Sequence, residues 1–532
     1  MRHFTKIAAA ALFMGAAFTA SLPATAETPK DTLVIAWSID DIISLDPAEI
    51  FEFSAAEIAG NTYEKLVDYD PKDVSKVFGV LADSWTVTGD GKILTFKMKE
   101  GRKFASGNPV TAEDAVYTLE RAVVLNKSPG FIITQFGFTP ENVKEKIKTT
   151  GPMEFTFEMD KAYASSFVLY CLTASVGSIV DKKLLMEHEA NGDFGYEWLK
   201  THYAGSGPLT IKEWRANEAV VLERNENYSG TKTPLARVIY RHIKESTAQR
   251  LQLEKGDIDI ARNLSPEELK AVSSNPDIAI QSAVKGTVYY LGLNQKNENL
   301  AKPEVREAIK YLVDYQAIAD TIMNSLGKVH QAFLPEGFLG AINDNPYSFN
   351  PDKAKELLTK AGLPDGFSVK IDVRSIPTEQ GIAEAIQQSM AKGGVKLEII
   401  PGDGKQVLTK YRARQHDIFL GSWGSDYQDP NSNADTFAAN HDNSDKAKAK
   451  PLAWRNAWDI PDLTKETESA VLESDAAKRA AIYEDLQKKV LATGPFVIMF
   501  QQIEVAASRK TVKGFTLGPS FDNNIAYTAT KE

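Results

Sequence analysis

The chain has a single cysteine, Cys171, among 532 residues, and only seven histidines. One thiol cannot form a disulfide within the chain, so the stability of the fold has to come from buried apolar side chains. Cys171 stands in the apolar run 167–172 and is predicted to be a small buried hydrophobic residue. The histidines are scattered and none forms a His-Glu-x-x-His pair, so no metal site is predicted.

Motifs of catalysis are also scarce. The sequence has no Gly-x-Ser-x-Gly nucleophile elbow and no phosphate-binding glycine-rich loop ending in Lys-Ser or Lys-Thr. Residues 325–328 have the Ser-x-x-Lys spacing of acyl-serine enzymes, but the partner motifs Ser-Asp-Asn and Lys-Thr-Gly are absent. Carboxylates are abundant and their distances cannot be read from the sequence, so a glycosidase stays open. The main expectation is a protein that is not an enzyme and carries no cofactor.

No apolar run after the N-terminal segment approaches the ~18 residues that a membrane-spanning helix needs. At the N-terminus, Arg2 and Lys6 precede the uncharged apolar run 7–22, and Ala-Thr-Ala at 24–26 follows as a small-residue cleavage site. This pattern predicts a secretory signal peptide, residues 1–26, cleaved after Ala26. The mature chain is therefore expected to be exported. A lipid anchor is not predicted, because no cysteine adjoins the cleavage site.

The charge of the chain is acidic. The formal net charge is −10, and removal of Arg2 and Lys6 with the signal peptide makes it more negative. This sign disfavours nucleic acid and anionic membranes as partners. The contents of 43% hydrophobic and 25% charged residues are typical of a globular protein. A chain of this length is predicted to form two or three domains.

Strand and helix patterns alternate along the chain, which predicts an α/β fold. A hairpin is predicted for 85–88 and 93–96, and Thr111 has the form of a helix N-cap. Helical patterns cover 303–313, 351–361 and 476–490, and strand patterns cover 369–373 and 395–400. No internal repeat or low-complexity linker occurs, so the domains are predicted to be joined by chain crossings.

Residues 421–433 follow a strand-like run and read Gly-Ser-Trp-Gly-Ser-Asp-Tyr-Gln-Asp-Pro-Asn-Ser-Asn. This composition predicts an ordered loop rather than a helix. Trp423 and Tyr427 offer flat amphipathic faces, and Asp426 offers negative charge. Gly424 allows a close approach of backbone groups to a partner. The two interpretations are a ligand-binding loop and a turn with a buried tryptophan.

Several short segments occur in an order that a known family shares. They are Ser-Leu-Asp-Pro at 44–47, Leu-Ala-Asp-Ser-Trp at 81–85, Pro-Val-Thr-Ala-Glu-Asp at 109–114, Gly-Ser-Gly-Pro at 205–208, Asn-Glu-Asn-Tyr at 225–228, Gly-Asp-Ile-Asp at 256–259, Val-Arg-Glu-Ala-Ile at 305–309 and Trp-Gly-Ser-Asp-Tyr-Gln-Asp-Pro at 423–430. In this order across the mature chain, they resemble the extracellular solute-binding proteins that serve ATP-driven peptide and nickel importers. The resemblance is strongest to the dipeptide and oligopeptide binders, which form family 5.

The resemblance implies an α/β fold of the two-lobed periplasmic binding protein type, cluster C, with three domains and a ligand cleft between the lobes. Lobe I would contain residues 27–70, 196–285 and 496–532. Residues 71–195 would form an extra domain inserted in lobe I, called the inserted domain below. Lobe II would cover residues 286–495, with hinge crossings near residues 285 and 495.

The implied function is the capture of short peptides by closure of the lobes and their delivery to an inner-membrane permease of an ATP-binding cassette (ABC) importer. A monomer without nucleic-acid partners is expected. In similar peptide binders the aspartate of the Trp-x-x-Asp-Tyr segment pairs with the peptide α-amino group, which corresponds to Asp426, beside Trp423 and Tyr427. The family's acidic residue three positions before Ser-Leu-Asp-Pro corresponds to Asp41.

Other ligand contacts are expected from the same resemblance. Backbone groups of Gly424 and Ser425 would run beside the ligand as an added strand. Arg374, which follows a predicted strand of lobe II, is the candidate for a ligand carboxylate, because a buried guanidinium suits bidentate binding. A plain surface arginine is the alternative interpretation of Arg374.

Other functions stay open. A ligand such as an oligosaccharide, an opine or another amino-acid conjugate is the first alternative, because sugar binders of this family keep a similar Trp-x-x-Asp-Tyr segment. Nickel is not favoured, because no histidine stands out as a ligand. A secreted hydrolase is the alternative from a different class.

Overall fold

The computed structural model describes residues 27–71, 73–447 and 449–532. The predicted signal peptide, residues 1–26, lies outside the described residues. Across the described ranges, no helix combines the length and the apolar character that crossing a membrane requires. Cys171 is buried and unpaired, which confirms its prediction as a small core residue.

The first part of the chain, up to residue 195, mixes short strands with helices. Its elements are β1 (Thr32–Trp37), α1 (Phe53–Thr62), β2 (Val67–Asp70), β3 (Asp73–Gly79), β4 (Ala82–Thr88), β5 (Ile93–Met98), α2 (Ala112–Leu125), α3 (Phe131–Thr134), α4 (Val143–Lys146), β6 (Ile147–Gly151), β7 (Glu154–Glu158), α5 (Ser165–Cys171) and α6 (Lys182–Glu187). Two 3-10 turns, Ser128–Gly130 and Ser175–Gly177, lie among them.

The second part alternates strands and helices more regularly. Its elements are α7 (Tyr196–Leu199), β8 (Leu209–Arg215), β9 (Ala219–Arg224), β10 (Arg237–His242), α8 (Ser246–Lys255), β11 (Ile260–Ala261), α9 (Pro266–Ser273), β12 (Ile278–Leu293), α10 (Pro303–Tyr311), α11 (Tyr315–Asp320), β13 (Gly327–Val329), α12 (Pro351–Lys360), β14 (Phe367–Arg374), α13 (Pro377–Lys392), β15 (Val395–Gly402), α14 (Gly404–Arg412), β16 (Ile418–Gly424), α15 (Pro430–Phe437), α16 (Leu452–Arg455), α17 (Pro461–Ala470), α18 (Ala476–Thr493), β17 (Phe496–Arg509), β18 (Val512–Lys513) and β19 (Thr530–Lys531). The 3-10 turn Phe521–Asn523 precedes β19.

One large mixed sheet runs through both lobes. Its strand order is β15-β14-β16-β12-β17-β11-β1-β10-β9-β8, with β13 added beside β17. A separate four-stranded antiparallel sheet, β4-β5-β7-β6, belongs to the inserted domain. Helices cover the sheets, so the chain has the α/β architecture that the alternating patterns predict.

Two long strands carry the chain between the lobes. β12 and β17 pair antiparallel along most of their length, and their register shifts between Val284 and Val288. The N-terminal end of β12 packs in lobe I through Ile278, and its C-terminal end packs in lobe II through Leu291 and Leu293. The exact domain boundaries stay predictions.

Local predictions from the sequence are confirmed at several points. β4 and β5 form the expected hairpin, with Thr88 opposite Ile93. Thr111 is the N-cap of α2, and its backbone N–H donates to the Asp114 carboxylate at 2.8 Å. Such a reciprocal cap satisfies amides that the first helical turn leaves without a partner.

The predicted loop 421–433 is wrong at both ends. Residues 421–424 continue β16, because their backbone pairs with residues 287–290 of β12. The helix α15 begins at Pro430, where the Asp429 side chain accepts a hydrogen bond from the Asn431 amide at 2.9 Å. Proline suits the first position of a helix, where no N–H is needed. The loop itself covers only residues 425–429.

Candidate functional site

A cavity of about 420 Å³ lies between the lobes. Lobe I lines it with residues 50–53 and 519–522, the inserted domain with residues 173–176, and lobe II with residues 421–428. Six of the seven residues predicted to bind ligand are among the lining residues, namely Trp423, Gly424, Ser425, Asp426, Tyr427 and Arg374. Asp41 is not among them.

Asp426 places a carboxylate in this cavity. Its backbone N–H donates to the Ser432 hydroxyl at 2.8 Å, which fixes the loop. Among the described residues, no group donates a hydrogen bond to the Asp426 carboxylate and no cation forms an ion pair with it. Burial raises the pKa of Asp426 to about 7, with the nearby Asp435 adding to the shift and the charge of Arg455 opposing it. The cavity therefore holds a desolvated acidic group that a cationic ligand would stabilise.

Gly424 and Ser425 shape the backbone next to Asp426. A Cβ on Gly424 would lie 3.1 Å from the Thr287 hydroxyl and 3.2 Å from the Phe53 ring, so a larger residue would crowd both lobes. The Ser425 amide donates to the Gly286 carbonyl at 3.0 Å. The Ser425 amide is thus already used within the protein.

The two aromatic residues of the segment have different surroundings. Trp423 is half-buried and packs edge-on against Phe437, with ring centroids 5.7 Å apart. Tyr427 is buried, and its ring lies 6.0 Å from that of Phe167 in the inserted domain. Trp423 is therefore a wall of the cavity, and Tyr427 joins lobe II to the inserted domain.

Asp41 is used by a contact within lobe I. Its carboxylate accepts hydrogen bonds from the backbone amide of Ser54, at 3.3 Å, and from the Ser54 hydroxyl. These contacts hold the first turn of α1. The neighbouring acidic residue Glu52 lines the cavity instead, and burial raises its pKa. Sequence reasoning missed Glu52, although an acidic residue between Phe51 and Phe53 in a loop was a visible signal.

Arg374 lines the cavity and is neutralised by the protein. Its Nε donates to the Glu379 carboxylate at 3.0 Å, and a terminal nitrogen contacts the other oxygen of the same carboxylate. Glu379 is 2% exposed. Since the two groups form a bidentate pair, the positive charge of Arg374 is compensated before any ligand arrives.

The lobe I side of the cavity is aromatic. Phe51 and Phe53 are 46% and 44% exposed, and exposed aromatic side chains are typical of a ligand-binding cleft. Phe53 stacks on Phe521 with centroids 4.3 Å apart. Phe51 packs edge-on against Phe131 at 6.2 Å. Lobe I therefore contributes an exposed aromatic cluster to the cavity, beside the charged residues Glu52 and Lys285.

A buried network of charged residues supports the lobe I wall. Lys285 lines the cavity, and its ammonium lies 2.7 Å from the Glu504 carboxylate and 2.6 Å from the Gly518 carbonyl. Arg262 contacts both Glu504 and Glu57, the latter at 2.8 Å. The surrounding cations lower the pKa of Glu504 to about 2, although burial opposes this shift. The charges in this network compensate one another.

Sequence reasoning also missed Arg412 and Arg455, which both line the cavity, and the charge of Arg455 acts on Asp426. Arg412 is the last residue of α14 and Arg455 is the last residue of α16. Neither stands in a motif, so the sequence carried no local signal for them. The described residues include no cluster of three or more side chains that could hold a metal ion.

A two-lobed α/β fold with a charged cavity between the lobes defines a solute-binding protein. The family of Bacterial extracellular solute-binding proteins, family 5 Middle, matches residues 76–445. The chain is also 30% identical over 501 residues to the Probable D,D-dipeptide-binding periplasmic protein DdpA of Escherichia coli K12, with 93% of each chain covered. The protein belongs to family 5 of the bacterial extracellular solute-binding proteins.

Solved structures share the fold. The periplasmic binding protein DppA of Helicobacter pylori, in complex with the peptide STSA, has a TM-score of 0.78 and 24% identity, over 94% of this chain and 98% of that chain. MoaA of A. tumefaciens R10, in complex with mannopinic acid, has a TM-score of 0.79 and 21% identity, over 95% and 100%. The predicted fold class and the family resemblance are thus confirmed.

Proposed function

We propose that the protein captures short peptides in the cavity between its lobes and delivers them from the periplasm to an inner-membrane ABC permease. The observation that carries this proposal is the Asp426 carboxylate, which lines the cavity and forms no hydrogen bond or ion pair with any described residue, although the charge of Arg455 acts on it. A desolvated carboxylate gains most from a ligand that brings positive charge and several hydrogen-bond donors. The α-ammonium group of a peptide brings both.

Glu52 provides a second acidic group for the same ammonium. It lines the cavity from lobe I, whereas Asp426 lines it from lobe II. An ammonium between the two carboxylates would therefore attract both lobes. In this scheme Asp41 acts indirectly, because it holds Ser54 in the first turn of α1, two residues after Glu52.

The aromatic wall suits the side chains of a peptide. Contact with Phe51, Phe53 and Phe521 is apolar and non-directional, so different side chains can be accepted. The volume of about 420 Å³ falls within the range of ~300–1,000 Å³ that small-molecule sites occupy. These features support a ligand of a few residues with varied side chains.

Transport follows from closure and involves no chemical change of the ligand. A ligand that contacts both lobes binds the closed form more tightly than the open form and shifts the population toward it. The closed, loaded form is then the state that a permease would recognise. The D,D-dipeptides in the name of the E. coli relative and the peptide bound to the H. pylori protein support a peptide ligand.

Calorimetry of residues 27–532 with a library of L,L- and D,D-dipeptides and of tri- to pentapeptides tests the proposal. We expect binding to peptides with a free N-terminus and much weaker binding to their N-acetylated forms. Absence of detectable binding to every peptide in the library would overturn the proposal. Mass spectrometry after prolonged incubation should return the peptides uncleaved, whereas cleavage would support the secreted hydrolase.

An opine or another amino-acid conjugate is the second candidate ligand. It is favoured by Arg412 and Arg455, which line the cavity and form no ion pair with any described residue, because such conjugates carry carboxylates of their own. The mannopinic acid bound to MoaA belongs to this class. Native mass spectrometry of protein purified from its own periplasm separates the candidates, because the mass of a retained ligand distinguishes a peptide from a sugar conjugate.

A further inference from the structure

Three successive carbonyls of lobe I accept hydrogen bonds from two neighbouring residues of β12. The Lys285 ammonium donates to the Gly518 carbonyl at 2.6 Å and to the Ser520 carbonyl at 3.2 Å. Between them, the Pro519 carbonyl accepts from the Gly286 amide at 3.0 Å. Both donors lie in the stretch of β12 where its register with β17 shifts, on the strands that carry the chain between the lobes. The segment 518–520 is therefore attached to the crossing point of the lobes.

The same crossing point also holds the binding loop of lobe II. The Gly286 carbonyl accepts hydrogen bonds from the Ser425 amide at 3.0 Å and from the Ser425 hydroxyl at 3.1 Å. Ser425 directly precedes Asp426, and Ser520 directly precedes Phe521. Both Asp426 and Phe521 line the cavity. The acidic group of one lobe and an aromatic ring of the other are therefore fixed to one short piece of backbone.

Lys285 is fully engaged within the protein. It is 1% exposed, and its ammonium lies 2.7 Å from the Glu504 carboxylate and 2.7 Å from the side-chain oxygen of Asn524. An ammonium has three hydrogens, and the acceptors around Lys285 use all of them. The ammonium also lies 4.8 Å from the centre of the Phe521 ring. Lys285 therefore acts on a ligand through the segment 518–520 and the Phe521 ring rather than by a hydrogen bond of its own.

The aromatic rings of lobe I lie close to the acidic groups of the cavity. Phe521 stacks on Phe53, with ring centroids 4.3 Å apart. The Phe53 ring reaches lobe II, because a Cβ on Gly424 would lie 3.2 Å from it. Gly424 is two residues from Asp426, a separation of at most ~7 Å along the chain. Glu52 is adjacent to Phe53 in sequence and also lines the cavity. A ligand ammonium and an apolar group next to it therefore find complementary surfaces side by side.

We propose that Lys285 is a positioning residue that sets the spacing between Asp426 and the stacked rings of Phe53 and Phe521, and that this spacing selects peptides whose N-terminal residue has a large apolar side chain. The inference rests on the proposed function as a peptide binder. In such a ligand the first side chain branches from the carbon that carries the ammonium, so pairing with Asp426 brings this side chain to the rings. The second side chain starts up to ~3.6 Å farther along the ligand.

Calorimetry with the dipeptides Phe-Gly and Gly-Phe tests the inference, because the two have the same composition and the same charged ends. The unaltered protein should bind Phe-Gly about tenfold or more tightly, since contact of an aromatic side chain with the rings contributes a free energy of this order. Lys285→Met should reduce this ratio to about threefold or less. The double variant Lys285→Met, Glu504→Gln should do the same, and it keeps the buried charges balanced, because Arg262 still pairs with Glu57.

Lys310→Met is the matched control. Lys310 is 2% exposed, its ammonium donates to the Leu491 carbonyl at 2.5 Å, and it does not line the cavity. Thermal unfolding should show a loss of stability for this variant, as for Lys285→Met, because both remove a buried, hydrogen-bonded ammonium. The ratio between the two dipeptides should stay at its full value in Lys310→Met.

The outcomes separate this inference from the proposed function. Equal binding of Phe-Gly and Gly-Phe by the unaltered protein would overturn the inference and leave the proposed function standing. A full ratio in both variants of Lys285 would overturn its positioning role. An equal fall of the ratio in Lys310→Met would assign the effect to lost stability and would overturn that role as well. Absence of binding to any peptide would overturn both the inference and the proposed function.

Discussion

The ring of Tyr427 in lobe II lies 6.0 Å from the ring of Phe167 in the inserted domain. Tyr427 and Val471 are the two residues of lobe II that belong to the buried apolar cluster of that domain. The amide of Ala164 also donates to the Val471 carbonyl at 2.8 Å, across the same contact. The residue proposed to bind the ligand ammonium, Asp426, is therefore adjacent in sequence to a residue of the interlobe contact. The loop 425–429 therefore carries both the proposed ligand contact and a contact between lobe II and the inserted domain.

A first prediction concerns this contact. Val471→Asp places a carboxylate against the apolar core of the inserted domain and should weaken the closed form. Val471 does not line the cavity, so the ligand contacts stay intact. We expect peptide affinity to fall about tenfold, which corresponds to ~1.4 kcal/mol. Small-angle scattering of the loaded protein should give a larger radius of gyration than that of the unaltered protein.

The neighbouring residue provides the control. Leu472 is 44% exposed, so Leu472→Asp adds the same charge one position further along the chain outside the contact. It should change neither the affinity nor the radius of gyration. An equal loss of affinity in both variants would show that charge alone, rather than the interlobe contact, is responsible.

A second prediction concerns Asp426. Asp426→Asn keeps the shape of the side chain and removes the charge proposed to pair with a ligand ammonium. Loss of a buried, desolvated charge partner should cost about 2 to 5 kcal/mol in the binding of an amine-bearing peptide. Calorimetry measures this change. An N-acetylated peptide should bind the two proteins with nearly equal affinity, and an equally large loss for both peptides would contradict the role of Asp426.

A third prediction follows from the pKa of Asp426, which burial and Asp435 raise to about 7. A bound ammonium favours the ionised carboxylate, so binding below pH 7 has to release a proton. Affinity for amine-bearing peptides should therefore fall as pH drops below about 7, by up to tenfold per pH unit. Titrations in buffers of different ionisation enthalpy should detect the released proton, and Asp426→Asn should release none.

The same pKa affects stability without ligand. Because the pKa is higher in the folded protein than in the unfolded chain, the folded form retains a proton that the unfolded form has lost between about pH 4 and 7. The contribution of Asp426 to stability should therefore decrease as pH rises through this window. His441 lies 3.8 Å from Asp435, and its pKa is raised mainly by that carboxylate. The His441→Gln variant removes the titration of the imidazole, so the remaining pH dependence of stability can be compared with that expected for Asp426.

The fold could be predicted from the sequence, because its signals lie either within short segments or in the order of many segments along the chain. The hairpin of β4 and β5 and the N-cap at Thr111 depend on residues close in sequence. The ordered series of family segments identified the two-lobed fold. The extension of β16 to Gly424 was missed, because it depends on pairing with β12 more than a hundred residues earlier.

The charged groups of the cavity were harder to predict than its main loop. Asp426 stands in a recognisable segment and lines the cavity. Whether an arginine is available to a ligand depends on its partner in space. Arg374 forms an ion pair with Glu379, whereas Arg455 forms no ion pair with any described residue. Side-chain pairing of this kind leaves no pattern in a single sequence.

A last prediction concerns the buried ion pair beneath the binding loop. Arg479 donates to both oxygens of Asp429 at 2.7 Å, and both side chains are almost completely buried. Arg479→Met leaves the Asp429 carboxylate buried without its charge partner and should lower the free energy of unfolding by about 3 to 5 kcal/mol. Urea denaturation measures this change. Lys489→Met, on the same helix α18, removes two ion pairs near the surface, with Asp485 and Glu466, and should cost at most ~1 kcal/mol. Similar losses of unfolding free energy in the two variants would contradict the assignment of the loss to the buried charge. Adding Asp429→Asn to Arg479→Met should recover part of the stability.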